Sequence, residues 1–190
     1  IKKVNDKINA IVKVNENVLK EAKKLDDNYE KYKDKKLFGL AVTIKDSIDT
    51  KGIVTTGGTK GRKNYVPKED ASVVKKLKEE GAIILGKTNT PELTLEYETN
   101  NKIYGKTNNP LDLSKSPGGS SGGAAAAVAT GCSAFDIGSD TAGSIRLPAH
   151  FCGVCGLRGT KGRVASTGSI IPNGVGITND LTQLGPLARY

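Results

Sequence analysis

An α/β domain, with a central mixed, largely parallel sheet flanked by helices, is the architecture this sequence predicts. Three observations carry that expectation. Two short apolar runs, Leu40-Ala41-Val42-Thr43-Ile44 and Ala82-Ile83-Ile84-Leu85, have the length and composition of buried strands. Stretches with apolar residues at helical spacing lie before and between them. No internal repeat and no linker divides the chain, so residues 1–190 read as one domain.

Taken in order, residues 3–26 read as one amphipathic helix, because Val4, Ile8, Ile11, Val18, Ala22 and Leu25 recur among Lys, Asn and Glu. Asp26 to Lys36 is charged and reads as a connector. The first apolar run is a buried strand that delivers Lys45 at its end. Asp70 to Glu80 is a second helix, with Val73, Val74 and Leu77 inward and Gly81 as its stop. The second apolar run follows at once as another strand. Thr90-Pro91 has the form of an N-cap followed by proline in a first helical turn. Fifteen of the 23 glycines lie between Gly105 and Gly176, so tight turns and close backbone approaches are expected there. Within that stretch an alanine-rich helix runs from Gly123 to Thr130 and is closed by Gly131.

Composition narrows the function classes. At 36% hydrophobic and 26% charged, the 190 residues describe a globular chain that is neither disordered nor membrane-spanning. No apolar run approaches the roughly 18 residues of a transmembrane helix. The net charge of +9 is divided almost evenly between residues 1–36 and the rest, and it is mostly lysine. With three Phe and no interleaving of basic and aromatic residues, a solvated lysine surface is expected rather than direct nucleic-acid contact. Three cysteines cannot complete a disulfide framework, which favours a reducing, cytoplasmic compartment. A chain that opens on Ile1 and holds no methionine is expected to be a piece of a longer reading frame.

Three short motifs match on paper and fail on context. Gly81 to Thr88 fits the phosphate-loop pattern GxxxxGK[ST], yet its interior, Ala-Ile-Ile-Leu, should pair as a strand and what precedes it is helical. Gly118-Gly119-Ser120-Ser121-Gly122 fits the GxSxG serine elbow, which needs a downstream acid and then a histidine. The single histidine, His150, stands only thirty positions on, with Asp136 and Asp140 crowded before it, and reads as a packed structural residue. Cys152-Gly-Val-Cys155 is a lone CxxC that Cys132 and His150 would have to complete as a zinc site. The surrounding Phe-Cys-Gly-Val-Cys-Gly-Leu reads instead as a packed, buried segment, so no metal is expected.

One longer pattern survives. Ser116-Pro-Gly-Gly-Ser120-Ser121-Gly122-Gly123 leads into the alanine-rich helix, and Gly138-Ser-Asp140-Thr-Ala-Gly143-Ser144-Ile-Arg146-Leu-Pro148 follows it. Val42-Thr43-Ile44-Lys45-Asp46 lies upstream, and Phe151-Cys-Gly-Val-Cys-Gly-Leu157 downstream. With these segments the chain resembles the amidase signature family, which includes bacterial amidases, fatty-acid amide hydrolases and the A subunit of the tRNA-dependent amidotransferase. The resemblance runs from the Ile8-Asn-Ala-Ile segment to Leu184-Gly-Pro-Leu-Ala-Arg189. Lys45, Ser120 and Ser144 stand in the family's order and spacing.

The resemblance implies a Ser-cisSer-Lys triad: Ser144 as nucleophile, Ser120 as bridge and Lys45 as base. A lysine whose reference pKa is about 10.4 acts as a base only when its ammonium is destabilised, and the end of an apolar strand is one place to desolvate it. The peptide bond before Ser120 is expected to be cis, with Gly119 removing side-chain crowding. Main-chain N–H groups of Thr141, Ala142, Gly143 and Ser144 are expected to form an oxyanion hole. Ala142 stands where many members carry glycine, a mild change provided its φ stays negative. Asp140 and Arg146 are expected to pair and fix this loop, Ser121 to shape the serine loop, and Ser116, Thr141, Asn108 and Asn109 to supply supporting hydrogen bonds.

The implied reaction is hydrolysis of a small-molecule amide through an acyl-serine intermediate, with no metal or organic cofactor. Two alternatives stand beside it. One is the glutaminase half of a tRNA-dependent amidotransferase, working with partner subunits. The other is a catalytically incompetent fragment, since family members run to several hundred residues. A chain truncated on its C-terminal side, and at its N-terminus, is expected to expose apolar surface that self-associates or seats a partner chain.

Overall fold

The structure is a computed structural model and describes residues 1–170 and 180–190. The last two glycines of the glycine-rich stretch, Gly174 and Gly176, lie outside the described residues. The elements are α1 (Asn5–Ile8), β1 (Ile11–Val14), α2 (Val18–Asp26), α3 (Tyr29–Tyr32), β2 (Ala41–Lys45), α4 (Ser72–Glu79) and β3 (Ile83–Thr88). There follow β4 (Asn100–Asn101), β5 (Gly105–Lys106), α5 (Gly122–Ala129), β6 (Phe135–Asp140), α6 (Arg146–Cys152), β7 (Cys155–Gly156) and β8 (Gln183–Ala188). Six strands form one mixed sheet in the order β1-β3-β2-β6-β8-β7, and β4 and β5 form a separate ribbon. Its centre is parallel, with β2 running alongside both β3 and β6, while β1, β8 and β7 join antiparallel. The sheet is therefore mixed as expected, and parallel only in its middle three strands. No helix among the described residues is long and apolar enough to cross a membrane.

The N-terminal region departs from the single helix expected over residues 3–26. After one turn, Asn9 enters the left-handed region at φ 49°. The Asn5 side chain then holds the turn, accepting from the N–H groups of Ala10 and Ile11 and donating to the Ile11 carbonyl. Ile11-Val-Lys-Val is largely β-branched, and a sheet edge offers it backbone partners on β3 that a helix would forgo. Helical spacing persists across the break because one apolar stripe can be read through it. The connector likewise contains a short helix, α3.

The strand β3 extends to Thr88, so the residues matching the phosphate-loop pattern are paired backbone rather than a loop. Thr90 does not cap a helix. Its buried hydroxyl has no hydrogen-bond partner among the described residues, and only a single 3-10 turn, Glu92–Thr94, follows.

The two faces of the sheet differ in kind. On one, Val42 and Ile44 of β2 pack with Ile84, Leu184 and the α4 residues Val73 and Val74. Strand alternation sends Thr43 and Lys45 to the opposite face, under α5. Helix α5 is buried over Gly122–Val128, because it is covered by sheet, α1 and α6 at once. Only small residues allow that. A Cβ on Gly123 would lie 2.4 Å from the Asn89 nitrogen and 2.8 Å from the Ala10 carbonyl oxygen.

Gly123→Ala is therefore expected to lower stability by about 1–3 kcal/mol through overpacking against fixed backbone. Gly61→Ala, with nothing closer than 4.0 Å and no positive φ, should change it by less than about 0.5 kcal/mol. Urea midpoints of the two variants measure the difference, and equal midpoints would contradict the close approach.

Candidate active site

The site is assembled on the α5 face from the ends of β2 and β6 and the loop entering α5. Lys45, the last residue of β2, is fully buried. Its Nζ lies 2.6 Å from Ser120 Oγ, 2.9 Å from Ser121 Oγ and 3.0 Å from Ser139 Oγ. Three hydroxyls thus surround the amine, and no carboxylate bonds to it. Burial pushes its pKa down to about 7, against the pull of Asp136 and Asp140. Near neutrality the amine is therefore present in both forms. The neutral form has two N–H donors and a lone pair, so one of the three hydroxyls can donate to it.

Ser120 follows a cis peptide bond, Gly119–Ser120. Thr99 holds this loop from both sides, its Oγ1 donating to the Gly118 carbonyl and accepting from Gly122 N–H. The Ser121 N–H donates to the Ser144 carbonyl at 3.0 Å, which ties the two serine loops together. Relative exposure rises from Lys45 at 0% through Ser120 at 1% to Ser144 at 8%, so the third residue is the one nearest solvent.

Ser144 lies between β6 and α6 on a loop that Asp140 organises. Buried Asp140 accepts from the N–H groups of Gly143, Ile145 and Arg146 and pairs with both Nε and Nη2 of Arg146, at 2.8–3.2 Å. Burial alone would raise its pKa; the Arg146 pair and these N–H groups outweigh that and hold it at about 2. The ion pair expected between Asp140 and Arg146 is thus present. Gly143 takes φ +120°, and Ala142 is not among the residues with positive φ. One expected oxyanion donor is engaged: the Gly143 N–H points to Asp140 at 2.8 Å. Thr141 bonds to Thr182 through their hydroxyls, and the Tyr97 hydroxyl donates to the Ala142 carbonyl. Supporting bonds from Asn109 to the Ser116 and Phe151 carbonyls, and from Asn108 to the Lys7 carbonyl, are also seen.

Other expectations are corrected. His150 is exposed on α6, not packed, and no hydrogen bond joins it to a serine or carboxylate among the described residues. In the CxxC segment only Cys152 is buried, its thiol pushed up to about 12 by desolvation; Cys155, Phe151 and Leu157 are exposed. All three cysteines are free, and no group of His, Cys, Asp or Glu among the described residues is placed to hold a metal.

Several site residues escaped the sequence reading. Ser121 contacts Lys45 rather than only shaping the loop, and Ser139 completes the hydroxyl shell. A second lysine, Lys87, is fully buried and donates to the Ile48 carbonyl and to Thr50 Oγ1, with its pKa pushed down to about 8 by desolvation. Asp136, in the Phe-Asp-Ile-Gly-Ser-Asp segment of β6, is also fully buried, and nothing local set it apart from Asp140.

A mixed α/β sheet whose central strand carries a buried lysine to a glycine-flanked serine defines a protein of amidase signature type. The chain belongs to the Amidase family, whose model matches residues 1–190. It is 46% identical over 190 residues to the A subunit of glutamyl-tRNA(Gln) amidotransferase from Thermoanaerobacter pseudethanolicus, covering 100% of this chain and 38% of that protein. Among solved structures it is similar to the corresponding A subunit from Thermotoga maritima, with TM-score 0.85 and 38% identity over 99% of this chain and 38% of that one. It is also similar to the peptide amidase from Stenotrophomonas maltophilia, with TM-score 0.88 and 34% identity over 96% of this chain and 37% of that one. The chain therefore spans well under half the length of these relatives.

The Asp140 pair makes a prediction about acid stability. Its carboxyl titrates near 2 when folded and near 3.8 when unfolded, so its stabilisation is complete above about pH 4 and is lost as pH falls through about 2. Asp140→Asn should reduce stability at pH 7 by on the order of 2 kcal/mol, and that gap should close between pH 4 and 2. Chemical denaturation of both proteins across this range measures it.

Proposed function

We propose that the protein hydrolyses a carboxylic acid amide through an acyl-enzyme on Ser144, with Ser120 as relay and Lys45 as base. The observation that carries this reading is the 2.6 Å contact between the buried Lys45 amine and Ser120 Oγ, and burial lowers the pKa of that amine to about 7. Neutral Lys45 takes the proton of Ser120 as Ser120 takes that of Ser144, whose oxygen attacks the amide carbon. The developing oxyanion is met by main-chain N–H groups of the 141–144 segment. Thr141, Ala142 and Ser144 are its donors, while Gly143, committed to Asp140, contributes the backbone turn. Collapse breaks the C–N bond, and the proton held on Lys45 returns through Ser120 to the leaving amine. Water then attacks the ester carbon, its proton passing to the relay; the bond to Ser144 Oγ breaks as the relay returns that proton to Oγ, and the acid leaves. Base, relay and nucleophile are all side chains of this chain, so the scheme calls for no cofactor.

A second reading rests on the relatives that are A subunits of glutamyl-tRNA(Gln) amidotransferases. Here the same triad releases ammonia from glutamine for a partner subunit, and the exposed apolar residues include part of the seat for that partner. Leu111, at 72% exposed, and Leu157, at 62%, are examples. Glutaminase activity that appears only with partner subunits selects this reading; turnover of simple amides by the protein alone selects the first.

The test common to both is labelling by a fluorophosphonate probe with peptide mapping. Adduct is expected on Ser144. Its rate should fall about 100- to 10,000-fold in Lys45→Ala and Ser120→Ala, the span of general-base contributions. Because the neutral amine is the active form, the wild-type rate should rise with pH through about 7 to a plateau. Labelling that survives Lys45→Ala unchanged overturns the relay, and a folded chain that takes no label is the incompetent fragment.

A further inference from the structure

Asp136 lies on β6 directly beside Thr43 of β2 and is fully buried. Register places its side chain on the same face as Thr43, Lys45 and Thr88, since Thr43 pairs with Asp136 and Lys45 with Thr88. One carboxylate oxygen, Oδ2, accepts from the Thr43 hydroxyl at 2.6 Å and the Thr88 hydroxyl at 2.9 Å. The other, Oδ1, has no hydrogen-bond partner among the described residues. Burying a carboxylate with half its acceptor capacity unmet is unfavourable unless a nearby cation offsets it. Two buried cations are near. Lys87 acts on it most and Lys45 less, and neither forms a direct ion pair with it.

Resting on the function proposed above, we infer that Asp136 is a positioning residue for the base: a buried negative charge that stabilises the Lys45 ammonium formed when the serine proton arrives. Its two threonine donors hold it in place, and Gly138, two residues on along the same face, leaves room above the strand for Ser121. A Cβ there would lie 2.7 Å from Ser121 Oγ, one of the hydroxyls on Lys45. Without this charge, burial would act on Lys45 opposed by Asp140 alone, and Asp140 is already matched by Arg146 and Arg158. The other ionisable groups near the amine are bonded elsewhere. Helix α5 has no titratable side chain, Asp46 turns to Thr56, and Lys87 turns to Ile48 and Thr50.

The test is the pH dependence of fluorophosphonate labelling of Ser144 in Asp136→Asn, in the full protein that carries this segment. Loss of the negative charge favours the neutral amine, so the midpoint of the rise should move to lower pH by about one unit. The plateau should fall roughly ten-fold, because a weaker base with a less stabilised ammonium accepts the proton less readily. Thr88→Val keeps a β-branched residue in the strand and removes one donor to the carboxylate. It should move the midpoint the same way by less, and it stands in should Asp136→Asn fold poorly. A profile that superimposes on wild type in either folded variant overturns the inference, as does a loss of amplitude with no shift of midpoint. Lys45→Ala separates the two proposals: if it leaves labelling intact the relay itself is wrong, whereas a Lys45-dependent profile indifferent to Asp136 removes only the role given to Asp136.

Discussion

A lysine amine with no access to water constrains everything around it. Lys45 Nζ is too far inside to be solvated, and three serine hydroxyls take the place of its water shell. Hydroxyls solvate an ammonium less well than water and much less well than a carboxylate in contact would. That shortfall is what brings the amine into the range where it exchanges protons near neutrality. A carboxylate directly bonded to Nζ would return the lysine to an ordinary structural ion pair. The acids of this region are accordingly kept one layer away, each engaged with other donors.

That arrangement dictates the shape of the sheet face. The chain must bring two hydroxyls from the loop entering α5 and one from β6 onto the end of one strand, beneath a helix that can approach closely. Helix α5 can do so because its residues are Gly, Ala and Val, and the loop before it because Gly119 faces the backbone of residues 96–98 at under 3 Å for any added Cβ. The opposite face carries the conventional apolar core with α4. One face thus supplies stability through burial while the other is free to hold polar groups in fixed positions.

What was legible in the sequence follows from this division. The strand before Lys45, helix α4, strand β3 and helix α5 were readable because each carries a periodic apolar or small-residue pattern. The serine and glycine segments were readable as a motif whose spacing is too long to arise idly. The N-terminal helix was misread because Val4, Ile8 and Ile11 satisfy one helical stripe whether or not Asn9 breaks it, and the break rests on Asn5 bonding to backbone five and six residues on. Long-range polar partners outside that motif were not legible. Ser139 and Lys87 reach their positions through strand pairing, and no local pattern announces which residue a neighbouring strand will set beside them.

Two carboxylates on β6 show how far environment, rather than residue type, decides chemistry. Asp136 and Asp140 are four residues apart, on one face of one strand, and both are fully buried. Asp140 receives five hydrogen bonds, two of them from a guanidinium, and titrates near 2. Asp136 receives two, both from neutral hydroxyls at a single oxygen, and burial raises it to about 6. The first is a mechanical anchor whose charge is fixed under any ordinary condition. The second holds its charge only because cations lie nearby, so its state and that of Lys45 are linked: protonating one weakens the hold on the proton of the other. A strand that presents one rigid acid to a loop and one responsive acid to a buried lysine separates a fixed charge from a titratable one within a span of five residues.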